Sequence, residues 1–284
     1  MREADIEDMG IKVGGRNITS LRYADDTALL ADNLTSMKRI LHRVDTAGKE
    51  AGLKLNAKKT KFMHIKGTNP TCQPPSIKIN QASLENVDDF KYLGSIKRAN
   101  GTCRKDITTR IGMAKQRMVQ LNNIWKDRSI PTNLKMKILK CLVWPIMLYG
   151  CEAWTTKKAD DKMIETAEMW FYKRLLRIKW TDHRTNDSIL QELRTSKSLL
   201  SIINKRKLKY IGHISRNQNT DLMKTIFQGK TQSQRKKGRP PASYISSIKS
   251  LGVSLQSTSQ DSQDRTKWQR IVRTHCLAAN IDRR

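Results

Sequence analysis

Tyr23-Ala24-Asp25-Asp26 sets two adjacent carboxylates between two short apolar runs, residues 18–23 and 27–31. Both runs suit β-strands, so the acids fall at or near a strand-turn-strand tip. Such a tip can project hard oxygen donors toward one point from a firm base. That arrangement holds divalent metal for phosphoryl transfer and leaves coordination positions open for phosphates. The same residues also suit a polar hairpin turn, in which aspartate is common. Neighbours along a strand point to opposite faces, so both acids can approach one metal only if the turn helps.

The elements around this tip read as α/β up to residue 100. A helix is expected after the hairpin, capped by Thr35 or Ser36, with Met37, Ile40, Leu41, Val44 and Ala47 on one face and Gly52 at its end. Residues 53–55 and 60–65 are short strand candidates around an Asn-Ala-Lys-Lys turn. Residues 67–75 form a loop, residues 77–79 and 87–96 are further strands, and Ala99-Asn100-Gly101 signals a turn. From residue 103 the period becomes helical. Ile107, Ile111, Ala114, Met118, Leu121 and Trp125 share one face of a long helix. A second helix starts after Pro131 and should break near Pro145. A third runs from about 160 to 178, with Ile164, Ala167, Phe171, Leu175 and Ile178 inward. Residues 198–213 form a helix bearing Lys205-Arg206-Lys207, residues 220–228 a short one, and residues 263–279 a last one. The Trp, Met and Phe stripes of these helices read as core.

The 284 residues carry 55 Lys/Arg against 26 Asp/Glu, a net charge of +29, and the excess is uneven. Residues 1–100 hold 17 basic and 12 acidic side chains; residues 101–284 hold the other 38 and 14. So sustained an imbalance favours a polyanionic partner, most simply nucleic acid. Nothing resembles a long amphipathic membrane-surface helix, and the apolar run 141–151 contains Pro145 and is too short to span a bilayer. The five cysteines form no Cys-x-x-Cys pair and the start of the chain is acidic and polar, which favours reduced thiols in an intracellular protein of nucleus or cytoplasm. The dispersed histidines and His275-Cys276 lack zinc-ligand spacing, so no zinc site is expected.

The run Ser20 to Ala31 resembles the catalytic hairpin of reverse transcriptases, most closely those of non-LTR (LINE-type) retrotransposons. Ordered blocks follow: residues 51–61 resemble the next palm motif, and Phe90-Lys91-Tyr92-Leu93-Gly94 the primer-grip strand. Residues 174–186, residues 210–216 and Gly238-Arg239-Pro240 resemble stretches downstream of the polymerase in such elements. The resemblance implies that Asp25 is a direct ligand of Mg²⁺ and Asp26 its weaker partner, and that Tyr23 lies beside the primer terminus. It implies that Lys59 faces the pyrophosphate leaving group; a solvated lysine among four basic residues is the other reading. Phe90, Tyr92, Leu93 and Gly94 would contact the primer, Gly94 by letting backbone approach its phosphates. The expected partners are an RNA template and a DNA primer or target.

In this family a further metal-binding Asp, a substrate-positioning motif and the fingers precede the hairpin. Here only Glu3, Asp5, Glu7 and Asp8 do, without a strand pattern. The expectation is therefore an α+β C-terminal piece: a partial palm over 1–100, an all-α basic thumb over 101–180, and a basic helical region over 181–284 with a flexible linker at 229–241. Half of a two-metal site should bind Mg²⁺ weakly. The reading is a portion of an RNA-directed DNA polymerase, inactive by itself, or a non-catalytic RNA/DNA-binding protein derived from such an element. Lys205, Arg206, Lys207, Arg235, Lys236, Lys237 and Arg239 are the expected nucleic-acid contacts outside the palm. The segment 235–240 suits an arginine in a narrow minor groove, a nuclear-localisation patch or a basic linker. Related elements follow this motif with a Trp and an acid, where this chain has Tyr244 and Ser246 or Ser247.

Overall fold

Glycines and polar residues cut the first hundred residues into short strands, whereas the remainder is helical. The computed structural model describes residues 6, 9–65, 76–79, 82–217, 221–228, 244–249 and 260–278. The chain forms an α+β protein of two compact units, residues 1–102 with 221–238 and residues 103–220 with 239–284.

In the first unit, β1 (Ile11–Val13) and β2 (Arg16–Ile18) turn on Gly14 and Gly15, both at positive φ, as a tight mirror-type hairpin turn requires. β3 (Ser20–Tyr23) pairs antiparallel with β4 (Asp26–Leu29). Helix α1 (Leu34–Glu50) buries Ile40, Leu41 and Val44, with Met37 and Ala47 half-buried. Its cap is Asn33, not Thr35 or Ser36. Asn33 is extended, and its side-chain oxygen accepts from the Ser36 amide at 2.8 Å, which places Thr35 and Ser36 inside the first turn. Gly52, at φ +72°, ends the helix by donating to Lys49 O, and the Leu53 amide donates to Gly48 O at 2.7 Å. That pair of bonds is a Schellman closure. It consumes the Leu53 amide, so the strand expected over 53–55 is irregular chain.

Short ladders complete the unit. β5 (Lys61–Phe62) runs parallel to β8 (Glu85–Asn86), and β6 (Lys78–Ile79) runs antiparallel to β7 (Ala82–Ser83). The strand expected over 87–96 is a hairpin of β9 (Asp89–Tyr92) and β10 (Ser95–Arg98). Leu93 and Gly94 stand at φ +47° and +79°, and two successive left-handed residues reverse the chain. The unit holds two small apolar clusters: Ile6, Ile40 and Val44 in one, Leu41, Ile77, Ile79 and Leu84 in the other. Helix α9 (Asp221–Gln228) also belongs to this unit.

The second unit packs α2 (Arg104–Gln120), α3 (Asn122–Lys126), α4 (Thr132–Ile138), α5 (Trp144–Met147), α6 (Lys158–Leu175), α7 (Asn186–Glu192), α8 (Leu199–Arg216), α10 (Tyr244–Lys249) and α11 (Arg265–Ala278). The long helix expected through Trp125 breaks at Leu121. There the Trp125 indole folds inward and donates to Met118 O at 2.8 Å. A π-helical turn, Leu139–Val143, precedes Pro145, whose missing amide and bulky ring cannot continue a regular α-helix. One apolar cluster runs from Ile107 through Phe171 to Ile203, so the boundary expected at 180/181 falls inside a shared core. Two buried carboxyls are matched, while the buried Trp144 indole nitrogen has no hydrogen-bond partner. Asp106 accepts from the Trp154 indole at 2.8 Å, and Glu168 accepts from Tyr172 Oη, Ser198 N and Leu199 N. Burial raises the Glu168 carboxyl above its usual range against the pull of those donors, and pushes the Tyr172 phenol up as well.

Candidate catalytic hairpin and nucleic-acid groove

The register Tyr23↔Asp26 leaves Ala24 and Asp25 as a two-residue loop between β3 and β4. Ala24 stands at φ +48°, a conformation that disfavours any residue with a Cβ. Asp25 is therefore the tip itself and Asp26 the first residue of the returning strand. Both are exposed, as is Tyr23. Among the described residues no cluster of three or more Asp, Glu, His or Cys is placed to hold a metal ion. The pair thus offers oxygen donors of the right hardness for Mg²⁺, but no further carboxylate is gathered beside them. The donor set fits half of a two-metal centre.

The expected primer-grip residues lie on the second hairpin, with Leu93 and Gly94 at its tip and Phe90 half-buried on β9. Arg98 clamps its base by donating to Asp89 at 2.7 Å. Tyr92 Oη donates to Leu21 O at 3.2 Å, which ties this hairpin to β3 behind the aspartates. Sequence gave no sign of that bond, since its partners are 71 residues apart. Lys59 is exposed on a turn in which Asn56 Oδ1 accepts from the Lys58 and Lys59 amides. No hydrogen bond or ion pair joins Lys59 to either aspartate.

The expected cluster Lys205-Arg206-Lys207 is not one patch. Successive helical residues point about 100° apart, and on α8 the three go separate ways. Lys205 is exposed. Arg206 donates to Leu148 O at 3.1 Å and pairs with Glu152 at 3.5 Å. Lys207 is 1 % exposed, so it cannot serve as a surface contact, and burial depresses its pKa. Lys205 instead lines a groove of about 420 Å³ with Lys209, Arg216, Arg265 and Arg273, floored by Trp268 and Val272. The floor is firm: Trp268 donates to Leu208 O at 3.1 Å, and a Cβ on Gly212 would stand 2.1 Å from its indole nitrogen. Five cations and no acid make this a fit for phosphates. The signal that could have found it is spacing, since 205, 209 and 216 recur on one face of a helix. Arg235, Lys236, Lys237 and Arg239 lie outside the described residues. The buried Cys151 thiol is pushed up to about 12 by desolvation, and Cys103 is raised too, donating its thiol to Thr155 O. Neither is a nucleophile at neutral pH. Among the described residues no helix is long and apolar enough to cross a membrane.

Comparison with known proteins agrees with the family resemblance. Residues 5–96 match the family described as reverse transcriptase (RNA-dependent DNA polymerase). A transposon-derived protein of Caenorhabditis elegans is 25 % identical over 274 residues, which cover 93 % of this chain and 98 % of that protein. The RNA-directed DNA polymerase from the mobile element jockey of Drosophila funebris is 28 % identical over 137 residues, 46 % of this chain but only 15 % of that enzyme. No solved structure matches.

Proposed function

We propose, from this chain's kinship with LINE-type reverse transcriptases, that it supplies the aspartate hairpin and the nucleic-acid-holding helices of an RNA-directed DNA polymerase. We further propose that these 284 residues by themselves hold nucleic acid without extending it. The first unit corresponds on this reading to part of the palm, and the helices from residue 103 onward to a thumb and a basic C-terminal region. The observation that carries the proposal is the Asp25–Asp26 tip, strained at Ala24, exposed, and without a third carboxylate among the described residues. Mg²⁺ would supply charge neutralisation at transferring phosphates, with Asp25 and Asp26 holding it. Tyr23 and the Leu93–Gly94 tip would flank the primer end, and the Tyr92–Leu21 bond would keep the two hairpins in register.

The test is primer extension on an RNA template with Mg²⁺ and all four deoxynucleotides. The expected result is no incorporation above that of Asp25→Ala. Incorporation that Asp25→Ala abolishes would overturn the inactive reading and establish a working centre. A second reading, a non-catalytic RNA/DNA-binding protein derived from such an element, draws on the five-cation groove, which owes nothing to the aspartates. It expects binding by Asp25→Ala, Asp26→Ala to equal that of the unsubstituted chain in vitro and in cells.

A further inference from the structure

Trp180 is 89 % exposed, while Trp125, Trp144, Trp154 and Trp268 are all buried. A fully presented indole leaves a large apolar surface in water, and aromatic rings displayed in this way mark recognition surfaces. Its loop is built to display it. Arg177 and His183 bracket it at φ +60° and +44°, conformations rarely kept without support. The Arg177 guanidinium donates to Lys126 O at 3.2 Å, and the Ile178 amide donates to Lys173 O at 3.0 Å. The short helical turn Trp180–Asp182 is closed by the Asp182 carboxylate, which accepts from the Lys179 amide at 2.7 Å. Thr185 then caps α7, accepting from the Ser188 amide. The indole therefore stands on a fixed turn.

Beside it lies an open groove of about 550 Å³, lined by Trp170, Lys173, Arg174, Lys179 and His183. The His183 ring is 5.8 Å from Trp180, tilted by 55°. No carboxylate of a described residue pairs with Lys173, Arg174 or Lys179. Trp180 and the cations line one groove, the pairing that single-stranded nucleic acid uses: a base on the ring, phosphates on the cations. A duplex, whose bases already stack on each other, offers that ring nothing.

We propose that Trp180 is a stacking platform for an unpaired base of RNA or DNA, with Lys173, Arg174 and Lys179 holding the adjoining phosphates. The site differs from the cationic groove of α8 and α11, which carries no exposed ring and reads phosphates alone. The proposal rests on the nucleic-acid-holding reading above and adds a preference for single strands.

The experiment is fluorescence anisotropy of the full chain with a labelled single strand and with the same strand in duplex, across a salt series. Trp180→Ala should weaken single-strand binding by roughly 5- to 150-fold, the range for loss of one stacked base, and leave duplex binding unchanged. Its single-strand salt slope should stay that of the unsubstituted chain, because no phosphate contact is lost. Trp180→Phe should restore most of the affinity. Lys173→Ala with Lys179→Ala should flatten the single-strand slope by roughly 0.7 per residue. Melting temperatures establish that each variant folds, and the exposed position of Trp180 predicts no loss. Equal binding of single strand by Trp180→Ala and the unsubstituted chain would sink the platform while leaving the broader reading intact. So would an equal loss on single strand and duplex, or displacement of the single strand by an oligoglutamate peptide that Trp180→Ala ceases to bind. If the unsubstituted chain bound neither strand form, both readings would fall.

Discussion

The two units mount their functional residues on different supports. In residues 9–102 every described strand pairs with a single partner, Asp25, Tyr23 and Leu93 stand on or beside hairpin tips, and the two apolar clusters hold three and four buried residues. In the second unit a core of two dozen buried residues spans α2 to the start of α8, and the cations stand on α8 and α11, whose Leu208, Ile211, Trp268 and Val272 are also buried. Two-stranded hairpins are marginal by themselves and draw their order from what packs on them. Helices on a large core are ordered whether or not a ligand is present. On the proposed reading, the contrast teaches that the aspartate hairpin and the cationic helices can be lost independently. It also predicts that mutational damage to folding should concentrate in the second unit.

The strongest test of that asymmetry is Glu168. It is fully buried, and its carboxylate gathers the Tyr172 hydroxyl and two amides at the start of α8. Glu168→Ala strands these three donors and the Ser198 hydroxyl, and breaking a buried charged network of this kind costs about 3–5 kcal/mol. Thermal unfolding should show a loss of many degrees, or no cooperative transition. A variant that melts with the unsubstituted chain would mean that the core does not depend on this knot. Next comes Gly212. Glycine to alanine inside a helix ordinarily stabilises by about 1 kcal/mol. Here the added Cβ meets the Trp268 indole at 2.1 Å, so Gly212→Ala should instead destabilise by roughly 1–3 kcal/mol through overpacking. The sign alone decides.

Much of this molecule is legible in the sequence where periodicity is long. The faces of α1, α2 and α6 follow from Ile40–Val44, Ile107–Met118 and Ile164–Leu175, because helical spacing repeats over many residues. The hairpin tip at Asp25 was legible because two apolar runs bracket it. Short ladders were not: one Schellman bond at Leu53 and two left-handed residues at Leu93 and Gly94 decided where strands stop. Adjacent letters also misled. Lys205-Arg206-Lys207 reads as a patch, yet a helix sends its three side chains to solvent, to a carbonyl and into the core. Trp180 and the buried tryptophans are the same letter, and only a fixed loop distinguishes the exposed one.

Lys205 and Lys207 extend the comparison to a single helix turn. Lys205→Ala should weaken binding and flatten the salt dependence for duplex by about 0.9, with no change in melting. Lys207→Met should do the reverse and leave binding alone. Burial depresses the Lys207 pKa below its ordinary 10.5, although Asp161 and the thiols of Cys103 and Cys151 oppose the shift. Between the folded and unfolded values the unfolded chain binds the extra proton, so native stability rises with pH toward 10.5 and is lost as pH falls through the folded value. Methionine carries no proton. The Met variant should therefore be more stable at neutral pH, and its advantage should shrink as pH approaches 10. An advantage that grows with pH would reverse the argument.

The smallest effect is expected at the hairpin. Asp25 and Asp26 are exposed neighbours of like charge with no third carboxylate gathered to them among the described residues. Asn is nearly isosteric with Asp and removes one charge, so Asp26→Asn should leave the melting temperature equal or slightly higher. In a complete two-metal centre the same change would remove a ligand and abolish activity. Millimolar Mg²⁺ should raise the melting temperature little in either form, because a ligand stabilises only in proportion to its affinity for the folded state. The measurement is thermal unfolding of both forms, with and without Mg²⁺, at fixed ionic strength. Asp45 on α1 serves as a control for general carboxylate effects, since it already pairs with Lys49 at 2.6 Å. A large Mg²⁺-dependent rise in the unsubstituted chain, lost in Asp26→Asn but kept in Asp45→Asn, would mean that the hairpin holds metal by itself. The first unit would then be a competent centre, and the division of labour between the two units would have to be redrawn.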